Sequence, residues 1–218
     1  MSKLFKGLML VATGLLIGSA VLAQSNAESG SNPKHCVAIF GKPEISEKGK
    51  MPKETPIIDY KCFDNFSDSL FYATKGTTQL PKDLEAKDFT GEVSASTRSL
   101  ALRAPSLPIN TSWDGPNKTG SSLTWYGSYC NPGVIYTRLT MPTGWDNVIS
   151  SSQPMASGSG CGTTKHYDNP YNNSGNSFYC YGSSSTSTTC GNLSNPVYNP
   201  PIDNITSSMC ATGNGTCP

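Results

Sequence analysis

The sequence predicts a mostly β fold, a double Greek-key sandwich preceded by a small α+β segment. Three observations carry that expectation. First, the charges are uneven. Residues 24–104 hold 11 basic and 11 acidic residues, whereas residues 105–218 hold three basic (Lys118, Arg138, Lys165) and four acidic (Asp114, Asp146, Asp168, Asp203). Second, the charge-poor half is rich in Ser, Thr, Asn, Gly and Tyr, and it repeats itself. Third, each repeat is about 45–50 residues of short β-rich runs broken by Gly, Pro and Asn, enough for four antiparallel strands shared between two sheets. One such unit cannot bury its apolar face alone, and two together can.

The chain opens with Lys3 and Lys6 ahead of an apolar, Gly-containing run from Gly7 to Leu22. That run is short for a membrane helix, and Val21-Leu22-Ala23 fits a small-x-small cleavage site. Residues 1–23 therefore read as a signal peptide, with Gln24 as the first mature residue and cleavage after Ala27 as the alternative. The expected location is extracellular, or periplasmic, with no membrane anchor. Without Lys3 and Lys6 the 14 basic residues face 15 acidic ones, a net charge of −1. Such a surface offers no basic field for nucleic acid or an anionic bilayer.

Residues 24–76 read as a small disulfide-linked module. His35 to Phe40 and Pro56 to Cys62 are β-branched and aromatic runs separated by a charged Gly/Pro-containing loop. A helix should follow from Asp64 or Asn65 to about Lys75, stopped by Gly76, with Phe66, Leu70 and Ala73 on one face. Cys36 and Cys62 are the two cysteines of this module, and a bridge between them suits a unit too small for a large core. Residues 77–106 read as a linker, with Pro81, Pro105 and a Ser/Thr/Ala-rich run. The β-domain then covers 107–218, with Greek keys at about 107–155 and 161–212. All eight cysteines follow the signal and none are spaced Cys-x-x-Cys, so disulfides are expected and zinc is not. Cys130, Cys161, Cys180, Cys190, Cys210 and Cys217 allow 15 pairings, which sequence does not resolve.

The repeat has two landmarks. Trp113-Asp114-Gly115-Pro116 returns as Tyr167-Asp168-Asn169-Pro170, each followed by a glycine (Gly120, Gly175) and an aromatic strand at 123–127 or 178–182. Each unit then ends in Asp-Asn-x-x-Ser-Ser, at Asp146–Ser151 and Asp203–Ser208. Asp114 to Asp146 spans 32 residues and Asp168 to Asp203 spans 35, so all four carboxylates of this half sit at two duplicated positions. One bent piece of chain here offers a carboxylate, an amide, a backbone carbonyl and a hydroxyl. That is the oxygen-only donor set that calcium takes, and one carboxylate per segment places affinity in the weak extracellular range, on the order of 10⁻⁵ to 10⁻³ M.

These segments match the [Asn/Asp]-[Asn/Asp]-x-x-[Ser/Thr]-Ser signature of microbial βγ-crystallins, and the chain resembles that family over about residues 107–212. The aromatic, x-x, Pro and later Gly resemble the family's folded hairpin between its first two strands, and Gly144-Trp145 fits before the first clamp. The resemblance implies two calcium ions and no catalysis. By position, the implied ligands are Asp146, Asn147, Val148 (carbonyl) and Ser150, then Asp203, Asn204, Ile205 (carbonyl) and Ser207. The second clamp departs from the pattern, with Pro200-Pro201-Ile202 in place of Gly-Trp and Thr206 in place of the apolar Ile149.

The same residues also suit a plain turn, since Asp, Asn and Ser side chains bond nearby backbone groups. Asp114 and Asp168, in Asp-x-Pro sequences, read as turn residues rather than ligands. An enzyme is not expected: there is no Gly-x-Ser-x-Gly elbow and no acid pair outside the repeat positions. His166, beside Lys165 and Tyr167, reads as a surface strand residue. The chain is also similar to crystallin-fold secreted inhibitors of metallopeptidases. That gives the alternative function, an extracellular peptidase as partner, with the low-complexity loop at 183–189 as its contact. A structural envelope or matrix protein is the third reading.

Overall fold

The computed structural model describes residues 34–43, 53–89, 106–130, 134–138, 140–155, 160–168, 177–181 and 208–213. The residues read as signal peptide, most of those read as linker, the loop at 183–189, Cys190, Cys217 and the expected second clamp at 203–207 lie outside them. The described part is mostly β. Two strands open it, β1 (His35–Phe40) and β2 (Ile57–Phe63), followed by helix α1 (Phe66–Ala73) and a 3₁₀ turn at Ala86–Asp88. Then come β3 (Leu107–Trp113), a 3₁₀ turn at Pro116–Lys118, β4 (Ser122–Gly127), β5 (Ile135–Arg138) and β6 (Ser151–Pro154). The last strands are β7 (Thr163–Tyr167), β8 (Ser177–Tyr181) and β9 (Ser208–Thr212). They form a five-stranded sheet, ordered β2-β1-β4-β3-β6, and a four-stranded sheet, ordered β5-β9-β7-β8.

The expected break between an N-terminal module and the β-domain does not divide the first sheet. β1 lies between β2 and β4, antiparallel to the former and parallel to the latter, with Val37 opposite Thr124 and Ala38 opposite Trp125. The physical reason is that a lone hairpin with one helix cannot bury both its faces, while β4 would otherwise present an edge of unpaired backbone groups. β1 is correspondingly covered on both sides. Cys36, Ala38 and Phe40 point into the core between the sheets, with Ile109, Leu123, Trp125, Tyr136, Met209 and Ala211. Val37 and Ile39 point outward into a second core, beneath Phe66, Leu70 and Ala73 of α1 and Phe89. Phe40 is the hub of the inner core. It stacks on Trp125 at 5.1 Å between ring centroids, and on Tyr136 of the opposite sheet at 5.1 Å.

The helix starts where expected, with Asn65 in extended conformation as N-cap, but ends at Ala73, short of Lys75. Lys75 and Gly76 both take positive φ, and the Gly76 N–H turns back to the Phe71 carbonyl at 2.8 Å, closing the helix in the manner of a left-handed C-terminal cap. The N-terminal residues also reach the second sheet. Thr55 N–H donates to the Thr137 carbonyl of β5 at 2.8 Å, and Thr137 N–H donates to Thr55 Oγ1 at 3.1 Å. Arg138 next door pairs with Glu54 at 2.6 Å. Cys36–Cys62 and Cys130–Cys161 are disulfides, and Cys180 and Cys210 are disulfide-bonded as well.

Candidate metal centre

The first clamp enters on a turn in which Trp145 N–H donates to the Pro142 carbonyl at 2.9 Å. Gly144 holds φ 85°, and no atom lies near where its Cβ would be, so conformation rather than space requires glycine there. Trp145 and Ile149 are buried in the core between the sheets, and Val148 packs against it. With these anchors inside, Asp146 and Asn147 are held at the surface, and Asn147 takes φ 57°. Asn is among the few non-glycine residues that enter this left-handed region readily.

The far end of the clamp is knotted to the β3–β4 hairpin. Ser150 N–H donates to the Trp113 carbonyl at 2.8 Å, and Ser150 Oγ donates to the Asp114 carbonyl at 2.9 Å. Ser151 Oγ donates to the Gly115 carbonyl at 2.8 Å and accepts the Lys118 N–H at 3.0 Å. The hairpin is itself folded back. The Asp114 carboxylate accepts the Ser121 N–H at 2.7 Å, and Gly115 N–H donates to the Thr119 carbonyl at 3.1 Å. Gly120 closes the turn at φ 81°, where a Cβ would fall 2.0 Å from Asp114 Oδ1. The Asp114 side chain thus acts as a turn residue. Its backbone carbonyl is the oxygen that sequence reasoning passed over. A backbone acceptor has no residue signature. The pointer to it was the repeat of Trp-Asp-Gly-Pro in register with the clamps.

Two of these oxygens stand as close together as two ligands of one hard cation would. Two oxygens bound to one calcium at 2.3–2.6 Å lie roughly 2.8–3.5 Å apart in its usual geometries, and Ser150 Oγ stands 2.9 Å from the Asp114 carbonyl oxygen. The hydroxyl can turn its proton away and present a lone pair. Asp146 supplies the one carboxylate on this loop. Among the described residues no cluster of three or more His, Cys, Asp or Glu side chains gathers anywhere, so this centre would rely on neutral oxygens around that single charge. Val148 borders, with Asp114 and Trp145, a hollow of about 260 Å³ whose other wall is Tyr60 and the Cys36–Cys62 bridge. The Tyr60 phenol in this wall is pushed above its ordinary range chiefly by burial. Of the implied ligands, Asp146, Asn147, Val148 and Ser150 lie on one loop. Asp203, Asn204, Ile205 and Ser207 lie outside the described residues.

A second polar cluster sits between the sheets. His166, expected at the surface, is 0 % exposed, and its Nε2 lies 2.9 Å from Ser152 Oγ. Ser152 Oγ donates to Asn110 Oδ1 at 3.1 Å, Thr164 Oγ1 donates to the same oxygen at 3.3 Å, and Asn110 Nδ2 donates to Ser112 Oγ at 2.9 Å. Burial pushes the imidazole down to about 3, so it is neutral. Lys165 takes the outer face instead, its Nζ 4.6 Å from the Tyr167 ring centroid. Although this brings a serine and a histidine together, both are 0 % exposed, and as folded no substrate reaches the hydroxyl. Neither a protein-family model, nor a curated protein, nor a solved structure matches the chain.

Proposed function

We propose that the chain is a secreted calcium-binding protein of the βγ-crystallin type, in which the ion stabilises a double Greek key rather than taking part in a reaction. The observation that carries this reading is strand order. In the first repeat the last strand lies beside the first and the first beside the second, as β6-β3-β4, and the described strands of the second repeat do the same, as β9-β7-β8. A Greek key sets its last strand beside its first in this way, and both runs support that reading. The third strand of the first repeat, β5, leaves its own sheet and pairs with β9, with Tyr136 opposite Ala211. Strand exchange of this kind binds the two repeats into one sandwich. It also draws the first clamp, which links β5 to β6, across the gap between the sheets.

The clamp supports the reading in a second way. Its anchors, Trp145 and Ile149, belong to the same core as Phe40 and Tyr136. A cation held by Ser150, the Asp114 carbonyl and Asp146 would therefore fix the loop to both the hairpin and the core. Because calcium binds the folded chain and not the unfolded one, the stabilisation is about 2.7 kcal/mol at a hundredfold excess over the dissociation constant. The disulfides belong to an oxidising compartment, where calcium is abundant. Among the described residues no helix is long and apolar enough to cross a membrane.

Calorimetric titration with calcium, paired with thermal melts in calcium and in chelator, tests the proposal. Calcium should bind with heat that saturates and should raise the melting temperature. Ser150→Ala should remove most of the rise attributable to the first clamp. Superimposable melts of the unaltered protein in excess calcium and in chelator would sink the proposal.

A further inference from the structure

From the geometry of β2 we infer that the protein is a two-fold dimer, in which the free edge of β2 pairs antiparallel with β2 of a second copy about an axis through Tyr60. β2 ends the five-stranded sheet, and among the described residues no strand covers its far side. The strand exposes apolar side chains where a soluble edge normally hides them: Ile58 is 67 % exposed and Tyr60 37 %. Beside it, Phe71 of α1 is 47 % exposed. It borders, with Phe63 and Tyr72, a hollow of about 570 Å³ that opens next to β2. Exposed edges that carry apolar residues are templates for pairing with another chain.

The register follows from backbone parity. Cys36 and Cys62 stand directly opposite with Cα atoms 3.9 Å apart. Such closeness marks a non-hydrogen-bonded pair in an antiparallel ladder. The backbone groups of Cys62, and of Tyr60 two residues back, therefore point away from β1 and toward the free edge. Those of Asp59 and Lys61 point toward β1. A two-fold pairing must join outward residues to outward residues, so its axis can pass through Asp59, Tyr60 or Lys61. Through Asp59, two Asp59 carboxylates face each other. Through Lys61, two Lys61 ammonium groups do. Through Tyr60, each Asp59 faces Lys61 of the other copy, and the strand is complementary to itself in charge. Opposite charges directly across a strand pair are stabilising and like charges destabilising.

The side chains are already set for this register. Asp59 and Lys61 share the outer face, where Asp59 Oδ2 accepts the Tyr72 hydroxyl at 2.8 Å and Lys61 Nζ lies 4.8 Å from the Tyr72 ring centroid. The second oxygen of Asp59 is left for the ammonium of the other copy. The bulge where the register slips between Ile39 and Phe40 limits the ladder to a short run on either side of Tyr60. An isologous contact uses the same edge of both copies, so it closes at two and does not grow into a filament.

Sedimentation velocity of the purified protein, disulfides intact, tests the inference at roughly 100 μM, two decades above a micromolar dissociation constant. The expected result is twice the chain mass. Asp59→Lys alone and Lys61→Asp alone should each return the chain mass, and the double swap, which restores opposite charges in this register only, should return the dimer. Tyr60→Pro removes an N–H that faces the free edge, so, with its folded far-UV circular dichroism retained, it should give the chain mass. An unaltered protein that sediments as a single chain, or as an open series of oligomers, overturns the proposal. So does a folded double swap that stays as monomeric as the single ones.

Discussion

Acid should destabilise this protein chiefly through one buried residue. His166 is enclosed between the sheets, and its imidazole lies at about 3 instead of its ordinary 6.5 because burial opposes the charged form. In the unfolded chain the same group takes up a proton near 6.5. The folded pKa is thus the lower one. The stability it represents is full above pH 6.5 and is lost as pH falls from there toward 3, at about 1.4 kcal/mol per pH unit and about 5 kcal/mol in all. The perturbation is His166→Gln, which keeps a hydrogen-bonding group within reach of Ser152 and removes the titration. Urea unfolding at pH 7 and pH 4.5 gives the free energies. The unaltered protein should lose about 2.5 kcal/mol more than the variant between those two values. His35 is also held below its ordinary range, by burial first and with Asp114 pulling the other way. It contributes to the slope in both proteins and cancels in the difference. Parallel pH profiles for the two proteins would refute the reasoning.

Two further outcomes follow from the hairpin and the first disulfide. Gly120→Ala forces a Cβ into the space of Asp114 Oδ1 at a positive φ. It should destabilise by about 2 kcal/mol or more in chemical unfolding, and weaken calcium binding, since the Asp114 carbonyl moves with the turn. Replacing Cys36 and Cys62 together by Ala opens a loop between residues 26 apart and should remove about 3.5 kcal/mol of unfolding free energy on loop-entropy grounds.

The sequence made the elements of the N-terminal half legible because their periods are clean. Phe66, Leu70 and Ala73 recur at helical spacing, and all three are buried under α1. What it did not make legible was where β1 would go. Yet the signal was there: Val37-Ala38-Ile39-Phe40 is an unbroken apolar run, and such runs mark strands covered on both faces and often paired in parallel. His166 misled for the opposite reason. Between Lys165 and Tyr167 it looks like an outward polar residue, but Asn110, Ser112, Ser152 and Thr164 build a polar interior that takes it in. In strands made of Ser, Thr and Asn, alternation separates the two faces without saying which is the inner one. The candidate site was legible through duplication, since Asp146 and Ser150 had counterparts in register. The carbonyl of Asp114 was not, because any residue type can provide a carbonyl.

The N-terminal half also changes what the clamp would do. A sheet with its edge at β4 would leave the clamp loop flanked by solvent. Here β1 occupies that edge, and the Cys36–Cys62 bridge and Tyr60 wall the hollow that Trp145 and Val148 also line. The same segment holds the opposite sheet through Thr55 and Glu54 at β5. Residues 53–63 thus fasten the start of the stretch between β5 and β6, in which the clamp lies, and the β3–β4 hairpin fastens its end through Ser150 and Ser151. A loop fastened at both ends has little conformational entropy left to lose when it takes up an ion, and preorganisation of that kind raises affinity without adding a ligand. In a centre with only one carboxylate, it would be the means by which neutral oxygens hold a cation.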